Sequence, residues 1–142
     1  MTITHVGQAE VLDLIAPGLR AQLIQDVREN RPDLTDDMGE RGVNQMAAFL
    51  VTSARTTAEK LTPSARVDEF WHRFLLRTQE YAAFCRALGA GFIHHVPEPV
   101  GNADPAQGRA AMERTKAAIA AAGFTVEPGR RAGLPGAVPG LV

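Results

Sequence analysis

The chain has 142 residues and a mass of 15.2 kDa, of which 45% are hydrophobic and 22% charged. These values are typical of one globular domain, which at this length buries roughly 70% of the surface that its unfolded chain exposes. Fifteen Lys and Arg against sixteen Asp and Glu leave a formal charge of −1, which argues against a broad basic face for nucleic acid.

Cysteine usage and hydropathy predict where the protein is located. The single cysteine, Cys85, excludes an intrachain disulfide and fits a reducing compartment. The N-terminal residues lack the basic and apolar regions of a signal peptide, and no apolar run approaches the roughly 20 residues that cross a bilayer. We therefore expect a cytoplasmic protein whose partners include neither nucleic acid nor a membrane.

The first half of the chain predicts three helices. Apolar spacing indicates a helix over residues 6–16 and a second helix, or a kinked continuation of the first, over 19–30. Thr35 is a candidate N-cap for a third helix, whose apolar stripe runs over 43–61. A Thr-Pro-Ser sequence then breaks this helix, and its serine, Ser64, is the candidate cap of the next one.

The second half predicts two helical regions separated by a loop. Apolar spacing indicates a helix over 67–88, and Asp104 followed by proline opens a last helix. Nothing in the chain is typical of a strand. We therefore expect an all-α fold with one helical domain of four to five helices over 1–126, a long loop at 89–103, and a flexible Gly/Pro-rich tail at 127–142.

The predicted helix over 67–88 has a chemically informative pattern. On one straight helix, four charged side chains form a narrow face that we expect to be solvated: Glu69, Arg73, Arg77 and Glu80. The broad apolar face opposite leaves a homodimer open. Asp68 and His72, four residues apart, share one side of the helix at the border of that apolar face.

Two further histidines follow this helix. His94 and His95 lie in an extended segment, so at most one of the two side chains faces inward. Imidazole and carboxylate ligands suit zinc, iron or copper better than calcium or magnesium. A transition-metal site is therefore predicted, with the candidate ligands Asp68, His72, His94 and His95. Asp68 could also orient a ligating imidazole, and Tyr81 is a candidate proton donor or substrate contact.

Distances along a continuous helix limit this ligand set. The end of the helix is about 24 Å from the level of His72, whereas the six residues to His94 reach roughly 20 Å. A shared site then needs the helix to end early or bend, or needs a second chain. Cys85 with His94 or His95 is an easier grouping and would form a closed structural zinc site. A metal-free helical interaction module, with these residues in a hydrogen-bonded core network, is the other alternative.

The same stretch carries rare residues in a characteristic order: Pro63, Ser64, Val67, Asp68, Trp71, His72, Thr78, Tyr81, Phe84, Cys85, Ile93, His94, His95 and Pro97. Over about 40 residues it resembles the glycine-rich domain-containing protein-like family. Phe74 replaces the second histidine of that family's Trp-His-x-His element, so a site that uses this imidazole lacks one ligand here. The resemblance implies a shared fold and site, and it implies no substrate.

These patterns together predict a small metal-dependent protein, an enzyme that modifies a small molecule or a peptide. The predicted catalytic residues are Asp68, His72 and Tyr81. Zinc, iron or copper is the expected cofactor.

Overall fold

The computed structural model describes residues 8–56, 61–95 and 104–124. They form six helices: α1 Gln8–Asp13, α2 Pro17–Arg28, α3 Asp36–Arg55, α4 Ala65–Leu76, α5 Thr78–Ala87 and α6 Pro105–Ala121. These ranges contain no strand, so the all-α prediction is confirmed. Within them, no helix combines the length and the apolar character that a membrane crossing needs. The predicted tail at 127–142 and loop residues 96–103 lie outside the described part of the chain.

Side chains at the helix N-termini explain several of the boundaries. Three of them accept hydrogen bonds from backbone N–H groups of the first turn: Thr35, Ser64 and Asp104. Each bond satisfies a donor that has no partner within the helix, and the expected caps at Thr35 and Ser64 are thereby confirmed. α2 begins at Pro17, because the missing N–H of proline is not needed at the first helical position.

α3 is the central element of the bundle. It packs against α1, α2, α4 and α6, while α4 also contacts α2 and α5. The apolar face of residues 67–88, on which the sequence left a homodimer open, is buried within the chain itself. Its buried side chains are Phe70, Trp71, Phe74, Tyr81, Phe84 and Cys85.

Two glycines let neighbouring helices approach α3 closely. A Cβ at Gly42 would lie 2.2 Å from Cε2 of Phe70 in α4, and one at Gly39 would lie 2.6 Å from Cγ2 of Ile24 in α2. Both distances are far shorter than any stable carbon–carbon contact. The Phe70 ring therefore occupies space that only glycine leaves empty.

The prediction of a single helix over 67–88 is wrong. α4 and α5 are separated at Arg77, whose φ of −94° and ψ of 72° are not helical. Proline and glycine, the usual causes of a break, are absent here. Instead, the Arg77 guanidinium forms two hydrogen bonds with the Asp26 carboxylate of α2, from Nε (2.9 Å) and Nη2 (3.1 Å). This forked pair holds the junction against α2.

The expectation of a solvated charged face is also wrong for three of its four members. They form ion pairs with α2 or with the residues just after it: Arg31–Glu69 at 2.8 Å, Arg73–Glu29 at 3.3 Å and Arg77–Asp26 at 2.9 Å. Glu80 remains exposed. The charged face of α4 is thus turned towards α2, a placement that helical spacing alone does not reveal.

Replacing Gly42 with alanine tests the close approach of α3 and α4. Gly42→Ala should destabilise the protein by about 1–3 kcal/mol, because the added methyl group must displace the Phe70 ring. Because a Cβ at 2.2 Å from the ring is a severe overlap, the cost lies in the upper part of this range and exceeds the gain of about 1 kcal/mol that alanine brings to a helix interior. Urea unfolding monitored by circular dichroism gives the free energy of unfolding.

Gly108→Ala in α6 is the matched control, because a Cβ there meets nothing within 4 Å. It should stabilise the protein by up to about 1 kcal/mol. A Gly42→Ala protein as stable as wild type would contradict the proposed packing.

Candidate functional site

Asp68 lies in the first turn of α4, which Ser64 caps. The positive end of the helix dipole favours a carboxylate at this position. Its Oδ1 is hydrogen-bonded to Nε2 of His95, and its side chain is 49% exposed. Asp68 is therefore held on a rigid element and still reachable from solvent.

His95 is the member of the adjacent histidine pair that faces inward. Its side chain is 19% exposed, whereas His94 is exposed, with its ring 4.9 Å from that of Phe92. The sequence left open which of the two histidines faces inward, and in the structure it is His95. Asp68 accepts a hydrogen bond from Nε2–H of a neutral His95 ring, or forms an ion pair with a protonated one.

His72 lies on α4 at the edge of a cleft between α2 and α4. The cleft has a volume of about 330 Å³ and is lined by Val27, Asn30, Asp68, Glu69, His72 and Arg73. His72 is exposed, and no described residue provides it with a hydrogen-bond partner. Asp68 thus belongs to two groups, since it lines the cleft beside His72 and also binds His95.

The candidate metal ligands are brought together only in part. Asp68 and His95 are in contact, His72 lies along the same helix face as Asp68, and His94 stands apart. Across the described ranges, no three or more His, Cys, Asp or Glu side chains form a group that could hold a metal ion. The closed zinc site that includes Cys85 is likewise not assembled there, and this thiol is buried.

Tyr81 lies at the centre of a buried hydrogen-bonded chain. Its hydroxyl accepts a hydrogen bond from Trp71 Nε1 at 3.0 Å and donates one to the carbonyl oxygen of Ile93. The residue is fully buried, and its ring packs edge-on against Phe74 at 4.9 Å. The hydroxyl proton is therefore already committed to a backbone acceptor two residues before His95.

The burial of Tyr81 has an electrostatic consequence. Loss of water around the phenol raises the pKa of Tyr81 well above its ordinary value of 10.0. The Trp71 hydrogen bond opposes this rise with a smaller effect, and the neighbouring Cys85 thiol adds to it. Tyr81 therefore remains a hydrogen-bond donor throughout the physiological pH range.

Trp71 belongs to the site, although it is not among the predicted catalytic residues or metal ligands. Its ring lies 4.5 Å from the His95 ring, at an interplanar angle of 56°. The sequence also did not indicate Val27 of α2 and Asn30 just after it, which line the cleft opposite α4, or the Ile93 carbonyl. No sequence pattern marks a backbone carbonyl as a site group, and none pairs α2 with α4 in this way.

A family model described as UCP032817-like matches residues 12–129, which is most of the chain. The chain belongs to the UCP032817-like family. The matched range includes Asp68, Trp71, Tyr81 and His95. No curated protein and no solved structure matches the chain. The site residues therefore lie within the part of the chain that the family model covers, and the chemistry has to be argued from their geometry.

The ionisation of Tyr81 can be measured directly, because the chain has one tyrosine. We expect no tyrosinate absorbance from the folded protein near pH 10. Above about pH 10 the unfolded phenol loses its proton while the buried one keeps it, so stability falls by about 1.4 kcal/mol per pH unit from this group.

Tyr81→Phe serves as the reference for this measurement, because it removes the titrating group and keeps the ring. The free energy of unfolding of this variant should fall less steeply above pH 10 than that of wild type. Equal slopes for the two proteins would show that Tyr81 ionises as readily in the folded chain as in the unfolded one.

Proposed function

We propose that the protein is an enzyme that acts on a small polar molecule or a peptide side chain bound in the cleft between α2 and α4. The observation that carries this proposal is the position of Asp68. Its carboxylate lines the cleft beside His72 and is at the same time hydrogen-bonded to the His95 ring. A carboxylate and an imidazole on one wall of a cleft are a common arrangement for proton transfer.

The dimensions of the cleft support a small substrate. Its volume of about 330 Å³ lies at the lower end of the range of roughly 300–1,000 Å³ that is usual for ligand pockets. The wall carries an amide, two carboxylates, an imidazole and a guanidinium around a single valine. Such a lining suits a polar compound better than a lipid or a large aromatic ligand.

The roles of the residues follow from their contacts. His72 is exposed, with no partner in the described part of the chain, so its imidazole is free to give or take a proton at the substrate. Asp68, one helical turn away, orients the substrate and stabilises positive charge that develops beside it. His95 holds the Asp68 carboxylate on its other side and keeps it from rotating out of the cleft.

A metal-dependent form of the same proposal retains Asp68 and His72 as ligands. Their spacing of four residues places both side chains on one face of α4, and both line the cleft. Zinc, iron or copper would suit this donor pair, with water and substrate completing the coordination.

The cellular location that we propose for the protein is the cytoplasm, as the sequence predicts.

An interaction module is the second candidate, and a specific observation favours it. Leu76 and Phe92 are large apolar side chains that are 66% and 47% exposed. In this alternative the Asp68–His95 pair and the Tyr81 hydrogen bonds serve the fold alone. Binding of a small molecule in the cleft would then have no functional meaning.

Ligand screening by thermal shift distinguishes these possibilities. Polar metabolites and short peptides are tested against wild type and Asp68→Asn, which keeps an acceptor for the His95 ring. A ligand present at 100 times its Kd stabilises the wild type by about 2.7 kcal/mol, and we expect Asp68→Asn to lose most of this shift. Turnover of a hit, followed by mass spectrometry, should fall by about 10²-fold in His72→Gln.

Glu113→Gln in α6 is the matched control, since it also converts an exposed carboxylate to an amide but lies away from the cleft, and it should leave ligand binding and turnover unchanged. Elemental analysis and a chelator separate the two forms of the proposal. Loss of activity with the chelator identifies the metal-dependent form, and unchanged activity identifies proton transfer without a metal. A screen in which no ligand distinguishes Asp68→Asn from wild type would favour the interaction module.

A further inference from the structure

Residues 92–95 follow α5 without helical structure and pass beside α4. Two contacts hold them there. The Ile93 carbonyl oxygen accepts a hydrogen bond from the Tyr81 hydroxyl, and the His95 ring is hydrogen-bonded to Asp68. The two contacts are separated by one residue, so the backbone at position 93 limits where the ring at position 95 can lie.

Trp71 connects Tyr81 to the same histidine by a second route. Its indole N–H donates to the Tyr81 hydroxyl at 3.0 Å, and its ring lies 4.5 Å from that of His95. The indole orientation is therefore restrained by the hydroxyl, and the indole in turn restrains the imidazole. One hydroxyl group thus acts on the backbone before His95 and on the ring beside it.

We propose that Tyr81 is a positioning residue, whose hydroxyl sets the orientation of His95 and, through it, of the Asp68 carboxylate in the cleft. Its relevance to catalysis rests on the proposed function. Tyr81 is fully buried and does not line the cleft, so it acts on a substrate only through these partners. This role differs from the two that the sequence predicts for it, proton donation to a substrate or direct contact with one.

The Tyr81 hydroxyl retains its proton at high pH, which is consistent with this positioning role. Burial raises the pKa of Tyr81, so the hydroxyl keeps its proton and its bond to Ile93 as the pH rises. The bond to Trp71 uses the acceptor side of the same oxygen. The Tyr81 hydroxyl therefore uses its donated bond to orient the Ile93 backbone and its accepted bond to orient the Trp71 indole.

Tyr81→Phe tests the proposal, because it keeps the ring and its edge contact with Phe74 and removes only the hydroxyl. The readout is the nuclear Overhauser effect between the ring protons of His95 and those of Trp71, the only tryptophan of the chain. We expect this signal to fall at least twofold and the His95 ring resonances to shift. Unchanged signals in a folded Tyr81→Phe protein would overturn the proposal.

Thr115→Val in α6 is the control for a merely structural loss. The Thr115 hydroxyl also makes two hydrogen bonds, accepting from the Thr62 N–H and donating to the Ala111 carbonyl, at a buried position. Both variants should lower the free energy of unfolding, but only Tyr81→Phe should alter the His95 and Trp71 signals. Equal changes in those signals for both variants would indicate general loosening and would contradict positioning.

A measurement on the wild type keeps the proposal testable even if Tyr81→Phe does not fold. The Trp71 indole N–H should show an Overhauser effect to the Tyr81 ring, and the Trp71 ring should show one to His95. Absence of either effect would overturn the proposal.

If the cleft is found to bind a substrate, Tyr81→Phe should lower kcat by about tenfold with little change in KM. The spectroscopic results do not depend on a substrate. A failed ligand screen would therefore contradict the proposed function but would leave the positioning role of Tyr81 to be judged by spectroscopy.

Discussion

The site depends on the change of chain direction between α4 and α5. Trp71 and Tyr81 are ten residues apart, which on a continuous helix would separate them by about 15 Å along the axis. They instead form a hydrogen bond of 3.0 Å, because α4 ends at Leu76 and α5 begins at Thr78. The forked contact of Arg77 with α2 holds the chain in this break. The contacts of residues 92–95 with α4 all follow from it.

α2 contributes both stability and one wall of the cleft. Two of the three ion pairs that join the charged face of α4 to the α2 region use Glu69 and Arg73, which line the cleft. Asp68 and His72 also line the cleft but make no such pair with α2. Asp68 binds His95 instead, and His72 has no partner within the described ranges. The same interface therefore holds the helices together and leaves two chemically active side chains available.

Local signals predicted much of the fold and part of the site. The caps at Thr35 and Ser64 act on backbone groups within the next turn, so sequence alone identifies them. The sequence placed Asp68 and His72 on one side of a helix as members of one site, whereas the hydrogen bond of Asp68 in the structure is to His95. The straight helix over 67–88 was wrong, because the break at Arg77 is held by Asp26, 51 residues earlier in the chain.

The amino-acid sequence by itself determined the helical class, the capped helix starts and the set of chemically capable side chains, since each depends on residues within a few positions of one another. Only the tertiary structure decided that His95 and not His94 meets Asp68, that Tyr81 binds a backbone carbonyl, and that the charged face of α4 meets α2. Those outcomes depend on packing between distant segments. Glycine at position 42, which admits the Phe70 ring, illustrates how such packing is set by the shape of both partners at once.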